Sequence, residues 1–327
     1  MGQPNVRELM VSAPLQNVSI QYRNKSYIAD SVFNLVKAAP KASILIYRRG
    51  GFLRNQAEMR AAGTRAVRSG FNATTTPIVT NEYALAKEVT DEDRRNVQYD
   101  GSPPLKPQID AIEFCSDAID LSRELLVANA VVAAGTGWNG EANGEDVTGL
   151  WAAGAGNTFI EDIETGIETV RSNTGIRPNT LMLSANTYVE LKQESTVLAR
   201  IQYVERGIVS ADLIAALFDL DIVIIGDCIY NSSEEAQDGS DFTATNVWEQ
   251  NAGKGSAFLF YRPSSPGLKV PAAGYTCYSP YENGARRRVT TWREPAEHID
   301  VYESAESIGV YQTGAYLGKL FTDTILT

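Results

Sequence analysis

The chain has 327 residues, of which 43% are hydrophobic and 21% charged, a balance that excludes a disordered protein and suits one large domain or two ordinary ones. Its net charge of −11 is unevenly laid down: residues 1–70 hold 11 Lys and Arg against 3 Asp and Glu, a net of +8, and the remainder carries −19. The longest apolar run, Leu125 to Gly135, is too short to cross a bilayer, and three scattered cysteines (Cys115, Cys228, Cys277) without a C-x-x-C pair exclude a disulfide framework.

The N-terminus has no basic segment followed by an apolar one, so nothing in it marks the chain for secretion, and folding in a cytoplasm is expected. The first forty residues show little periodicity and end at Pro40; an extended arm is expected over 1–43. Residues 44–90 hold a strand-like run (Ile44 to Tyr47), a Gly50-Gly51 turn signal and β-branched residues around Thr74 to Thr80, which together predict a long, open hairpin-like loop. Its arginines, Arg48, Arg49, Arg54, Arg60, Arg65 and Arg68, face a single acid, Glu58. So long and polar a loop cannot bury itself and must move freely or lie against something else. The charge asymmetry favours contact with the acidic body of a neighbouring copy over nucleic acid, because the acidic remainder would repel phosphate and the segment has little aromatic interleaving.

The strongest helix signal spans 106–134. Pro107 suits a first turn, Asp110 and Glu113 sit where the helix dipole favours acids, and Gly135 is a natural stop. Ile112, Cys115, Ile119 and Leu126 form an apolar stripe flanked by Phe114, Ala118, Leu121 and Leu125; Asp117, Asp120, Arg123 and Glu124 are expected on the outward face, toward solvent or a partner. Residues 151–283 alternate helix and strand patterns. A helix with Ile160, Ile163, Ile167 and Val170 on one face is expected between Asn157 as cap and Gly175 as stop, a buried strand at "TLMLS", a helix capped by Ser184, another opened by Ser210 and Asp212, and a strand at Ile222 to Ile225. From about Ala285 the pattern is one of strands, which return to the long helix.

Tested for chemistry, the motifs fail on context. "GTGWNG" (Gly135, Gly137, Gly140) follows a helix, where a dinucleotide fingerprint must follow a strand. "NGEANGEDVTGL" has Asn139, Glu141, Asn143 and Gly144 in place for calcium, yet Leu150 stands where a bidentate Glu is needed. One histidine, His298, and no paired cysteines leave no transition-metal set, and there is no nucleophile elbow. Arg286, Arg287 and Arg288 read as the charged guard of an edge strand or an interface to an acidic partner rather than a phosphate patch. Asp227, at the end of an apolar strand, is the one acid placed like a catalytic residue; without a partner in recognisable spacing it reads as a turn residue that binds its own backbone. No catalytic, cofactor or metal residue is assigned.

The order of these pieces, together with "ANTYVELKQESTVLARIQYVERGIVSADLIAALFDLDIVIIGDCIYN" and "AFLFYRPSSPGLKVPAAGYTCY", resembles the major capsid proteins of tailed bacteriophages, an α+β fold of the Hong Kong 97 type. The resemblance implies an N-terminal arm (1–43), an E-loop (44–90), a P-domain (91–150, with a spine helix at 106–134, and 284–327) and an axial A-domain (151–283). It implies self-assembly as hexamers and pentamers into an icosahedral head around double-stranded DNA bound without sequence specificity, in a virion built in the host bacterial cytoplasm. The implied partners are copies of the chain, a separate scaffolding protein, a portal and a decoration protein, with no membrane and no cofactor. Across subunits, Arg48, Arg49, Arg54, Arg60, Arg65 and Arg68 would meet Asp110, Glu113, Asp117, Asp120 and Glu124. Some members cross-link an E-loop lysine to a neighbour's asparagine; here the first lysine of the segment is Lys87, at its base, so no such bond is expected. The alternatives are an encapsulin-like compartment shell and a soluble α/β enzyme using Asp227.

Overall fold

The computed structural model describes residues 23–98, 106–135, 137–139, 143–154, 156–201, 209–234, 242–282 and 284–325. Most of the expected arm, residues 1–22, and Gly140 and Glu141 of the glycine-rich stretch lie outside the described residues. The class is α+β, as expected.

In chain order, a helical turn α1 (Ala29–Val32) leads into β1 (Asn34–Lys37). β2 (Lys41–Tyr47) and β3 (Ala73–Val79) pair antiparallel from Lys41↔Val79 to Tyr47↔Ala73, and between them only the turn-length α2 (Arg49–Phe52) is regular. β4 (Asn81–Thr90), α3 (Asp91–Gln98) and the long α4 (Pro107–Val132) follow, then β5 (Gly144–Asp146) and α5 (Phe159–Thr174). The alternating stretch is β6 (Thr180–Ser184), α6 (Ala185–Leu191), α7 (Ser195–Ile201), α8 (Ala211–Phe218) and β7 (Ile222–Gly226). A small hairpin of β8 (Ile229–Asn231) and β9 (Ala244–Asn246) precedes β10 (Ser256–Phe260), β11 (Gly274–Tyr278), β12 (Arg287–Glu294), β13 (Ile299–Gln312) and β14 (Gly318–Thr322).

These elements form two compact units, one of residues 23–25, 82–122 and 280–307, the other of 26–81, 123–279 and 308–325. The larger unit is built on a five-stranded sheet in the order β5-β14-β10-β6-β7, with β6 parallel to β7 and β10 antiparallel to both β6 and β14. Every residue of β6 and β10 is buried, which is why "TLMLS" and "SAFLF" read as continuous apolar runs rather than alternating ones. Alternate residues of β10 serve different faces. Ala257 and Leu259 join Leu181, Leu183 and Phe321 in the core under α5 and α8, while Phe258 and Phe260 stack at 4.7 Å and meet Trp138 and Phe33.

Local signals place α5, α6 and α8 as expected, with one change, while α3 and α7 lie outside the expected helices. Ser184 and Ser210 cap α6 and α8 by accepting from the amides of Thr187 and Leu213, and Gly175 closes α5 at φ 75. The residue before α5 is Thr158; Asn157 one step earlier accepts from the Phe159 amide. Gly166 lets α5 approach the sheet, since a Cβ there would lie 3.0 Å from Phe321 and 3.2 Å from Leu259. A second sheet in this unit pairs β1 parallel with β11, and β11 antiparallel with the last residues of β13, Ile308 to Gln312. Residues 28–37 are therefore packed structure: Ile28, Ala29, Val32 and Phe33 are all buried.

In the smaller unit β12 pairs antiparallel with the first part of β13, from Arg287↔Glu306 to Glu294↔Ile299, and β4 also pairs with β13. Val89, Ala111 and Tyr302 make its small apolar core, with Ile112 packed against it. α4, 26 residues and about 39 Å long at 1.5 Å per residue, contributes to both units. Its buried stripe runs Ala111, Cys115, Ile119, then Val127, Ala128, Val131 and Val132, whereas Phe114 is 51% exposed.

Candidate functional site

The candidates for chemistry resolve first. Asp227 is exposed and its side chain makes no hydrogen bond to any described residue, so the expected bond to its own backbone does not form. Gly226 beside it is required by packing, because a Cβ there would sit 2.7 Å from the Trp248 ring. Of the glycine motif, Gly135 stands at φ 81 in the turn three residues past α4, which ends at Val132 rather than at the expected 134, and Gly137 lies against Gln312, whose Oε1 would be 2.0 Å from an added Cβ. Asn139 donates to the Val132 carbonyl and Asn143 to that of Gly137, so both close the end of α4 and its loop. Among the described residues no group of His, Cys, Asp and Glu could hold a metal ion. All three cysteines are free and buried, and burial pushes the Cys228 thiol up to about 12, the mark of an inert structural thiol.

The charged run of β12 is satisfied within its own unit. Arg286 pairs with Glu306 at 3.2 Å, Arg287 with Asp120 and Glu306, and Arg288 with Glu82 and Glu303. Glu306 is fully buried between two of these guanidinium groups. A shallow recess of about 490 Å³ in the same unit is lined by Asp91, Arg94, Arg95, Arg293 and Asp300. Arg293 grips both oxygens of Asp91 at 2.5 and 2.7 Å and reaches Asp300 at 3.0 Å, while Arg94 bonds the same two acids. The hydrogen bond from Arg293 holds the Asp91 carboxyl well below the usual range. His298, at φ 57 in the β12–β13 turn, places Nδ1 3.9 Å from Asp91. The recess is an ion-paired clasp between the start of α3 and the β12–β13 hairpin.

What remains is surface that its own chain does not satisfy. Along 48–72 the side chains of Arg48, Arg54, Arg60, Arg65 and Arg68 are exposed, and none is ion-paired among the described residues. Arg49 differs: its guanidinium lies 3.7 Å above the Tyr316 ring and donates to the Asn173 carbonyl, pinning the base of the loop. Tyr47, Phe52 and Phe71 cluster there with centroids 5.1–5.9 Å apart, and Leu53, Met59 and Val67 stand in solvent beside the arginines. Aromatic and apolar groups interleaved with arginine are what the sequence reading missed; their signal was present but short of any periodicity.

The five helix acids separate. Asp110 and Glu113 are exposed, flanked by exposed Ile109 and Phe114. Asp117 pairs with Arg23 at 3.6 Å and Asp120 with Arg287. Glu124 is not outward at all: it is completely buried and accepts from the amides of Ile28 and Ala29 and from Trp248 Nε1. Burial pushes its carboxyl above the usual range, and those three bonds oppose the shift. Arg123, also expected outward, is buried and paired with Asp30. Both corrections have one cause. From Arg123 onward α4 belongs to the larger unit, where more of its circumference is buried, and a helix-face count carries no information about where that change happens.

No family model matches the chain. It is 28% identical over 281 residues to the major capsid protein of Burkholderia phage BcepMu, covering 82% of this chain and 83% of that one. A phage-related protein from Bordetella bronchiseptica RB50 superposes with a TM-score of 0.70 at 19% identity, over 94% of both chains. The capsid of cyanophage P-SCSP1u gives 0.62 at 12% identity, over 98% of this chain and 95% of that one. The SrpI encapsulin of Synechococcus elongatus PCC 7942 is less similar, at 0.54 and 9% identity over 100% and 98% of the two chains.

Proposed function

We infer that the chain is the major capsid protein of a phage head, a coat subunit with the Hong Kong 97-type fold that self-associates into an icosahedral shell and is not an enzyme. Likeness to a named coat protein along most of both chains is the observation that carries this reading. The protein works in the virion, and its assembly as hexamers and pentamers would take place in the host cytoplasm. A scaffolding protein, a portal, a decoration protein and double-stranded DNA held without sequence specificity are the further partners the reading calls for. In this scheme residues 1–43 are the N-terminal arm, 44–90 the E-loop, 91–150 and 284–327 the P-domain around the spine helix, and 151–283 the axial domain.

The contact between subunits is proposed to place Arg48, Arg54, Arg60, Arg65 and Arg68 of one copy on Asp110 and Glu113 of the next. Unpaired arginines on one surface and unpaired acids on another support it, as do the apolar neighbours on both: Leu53, Met59 and Val67 against Ile109 and Phe114. Asp117 and Asp120, already paired within their own unit, contribute field rather than direct bonds. Negative-stain images of the expressed protein, alone and with co-expressed scaffold, should show closed shells; strictly monomeric protein in both preparations would sink the reading. An encapsulin-like compartment is the second reading, favoured if shells instead capture a cargo protein through a short docking peptide.

A further inference from the structure

Glu124 is a fully buried acid with an unusual set of partners, and it belongs to none of the surfaces above. Its Oε2 accepts from the Ala29 amide at 2.8 Å, and its Oε1 from the Ile28 amide at 3.0 Å and Trp248 Nε1 at 2.6 Å. The preceding residue on α4, Arg123, pairs with Asp30 at 3.3 Å, and Arg262 donates to the Asp30 carbonyl at 3.2 Å. Downstream, the same segment is held differently: Phe33 packs on Trp138 and Phe260, and β1 pairs with β11.

Ile28 and Ala29 are the first buried residues of the described chain, so the carboxylate grips the N-terminal segment where it enters the body. Burying a charge there is costly, and the two backbone amides, one on each oxygen, supply most of the compensation, with the indole N–H adding a third bond. Two successive amides on the two oxygens of one carboxylate also fix register: a slip of one residue would leave at least one buried N–H without an acceptor. Apolar contacts at Val32 and Phe33 do not impose that condition, because they tolerate small slides. We propose that Glu124 is the latch of the N-terminal segment, the group that fixes the register of Ile28 and Ala29 upstream of the β1–β11 ladder. The inference concerns one chain and does not depend on the coat-protein reading.

Hydrogen exchange on the full-length protein, comparing Glu124→Gln and Trp248→Phe with the parent in the same oligomeric state, tests it. The amide side chain introduced by Glu124→Gln would present an NH2 group to backbone donors. Amides of residues 28–33 should then exchange about ten- to a hundredfold faster, while β6 and β10 keep their protection. Trp248→Phe removes one donor and leaves both backbone bonds, so protection at 28–33 should stay within about threefold of the parent. Unchanged exchange at 28–33 in Glu124→Gln would overturn the proposal, as would equal acceleration in the sheet core. So would opening in Trp248→Phe as large as in Glu124→Gln, which would make the indole the anchor.

Discussion

Asp91 shows how a single surface acid can close a unit. Its carboxylate is held by Arg293 and Arg94, and its amide donates to the His298 carbonyl, so one residue ties the start of α3 to the β12–β13 turn. The bond from Arg293 lowers its pKa below the ordinary 3.8. A depressed carboxylate contributes stability that is present above the unfolded value and lost as pH falls through the folded one. Asp91→Asn should therefore lower the unfolding midpoint at neutral pH, and the difference from the parent should shrink as the pH is taken below about 3.8; a difference independent of pH down to strong acid would refute the assignment. Glu306 is the buried counterpart. Shared by Arg286 and Arg287 with no exposure of its own, it should cost about 3 kcal/mol on Glu306→Ala, because Arg286 loses this acceptor and Arg287 is left with Asp120 alone. Denaturant unfolding measures this directly. A loss below about 1 kcal/mol would mean that the pairs are solvent-compensated.

At the level of elements, the loop of the β2–β3 hairpin and the first turns of α4 carry surfaces of opposite charge. The hairpin is ordered by a seven-residue ladder, by Arg49 on Tyr316 and by the Tyr47, Phe52 and Phe71 cluster at its base, whereas nearly all of residues 53–70 are exposed. Replacing Arg48, Arg54, Arg60, Arg65 and Arg68 together with Gln should leave the melting temperature of the free subunit unchanged, since none makes an ion pair among the described residues, and should abolish or strongly slow shell formation. Light scattering and electron microscopy read the second effect, and a variant that assembles at the parent rate would remove the arginines from the contact. The hairpin was legible in the sequence because turn glycines and β-branched runs are local signals. So were α5, α6 and α8, whose caps and apolar faces lie within each segment. The place of β14 beside β10 was not: "GKLFT" says that a strand forms but not which sheet receives it. Glu124 was misread for the same reason. Helical periodicity gives a direction around an axis, and what lies in that direction is a tertiary fact.

Across the whole molecule, the division of charge becomes an argument about assembly rather than folding. Residues 48–72 carry six arginines against one glutamate, while residues 82–98, 106–122 and 280–307 together hold 15 acids and 8 bases. Within one copy this arrangement leaves Arg48, Arg54, Arg60, Arg65 and Arg68 without an ion pair among the described residues; in the proposed contact between copies it would make an encounter attractive in one orientation and repulsive in the reverse, orienting docking and raising the association rate. Screening separates this effect from apolar burial. The Debye length falls from about 10 Å at 0.1 M salt to about 3 Å at 1 M, so steering should fade while the proposed apolar contact of the exposed Met59, Val67 and Phe114 strengthens or stays constant. The initial rate of shell formation should drop about tenfold or more over that range in the parent protein, and the five-arginine variant, already slow, should show little further dependence. A parent rate that rose with salt would mean that apolar burial directs assembly and that the arginines only keep the loop soluble.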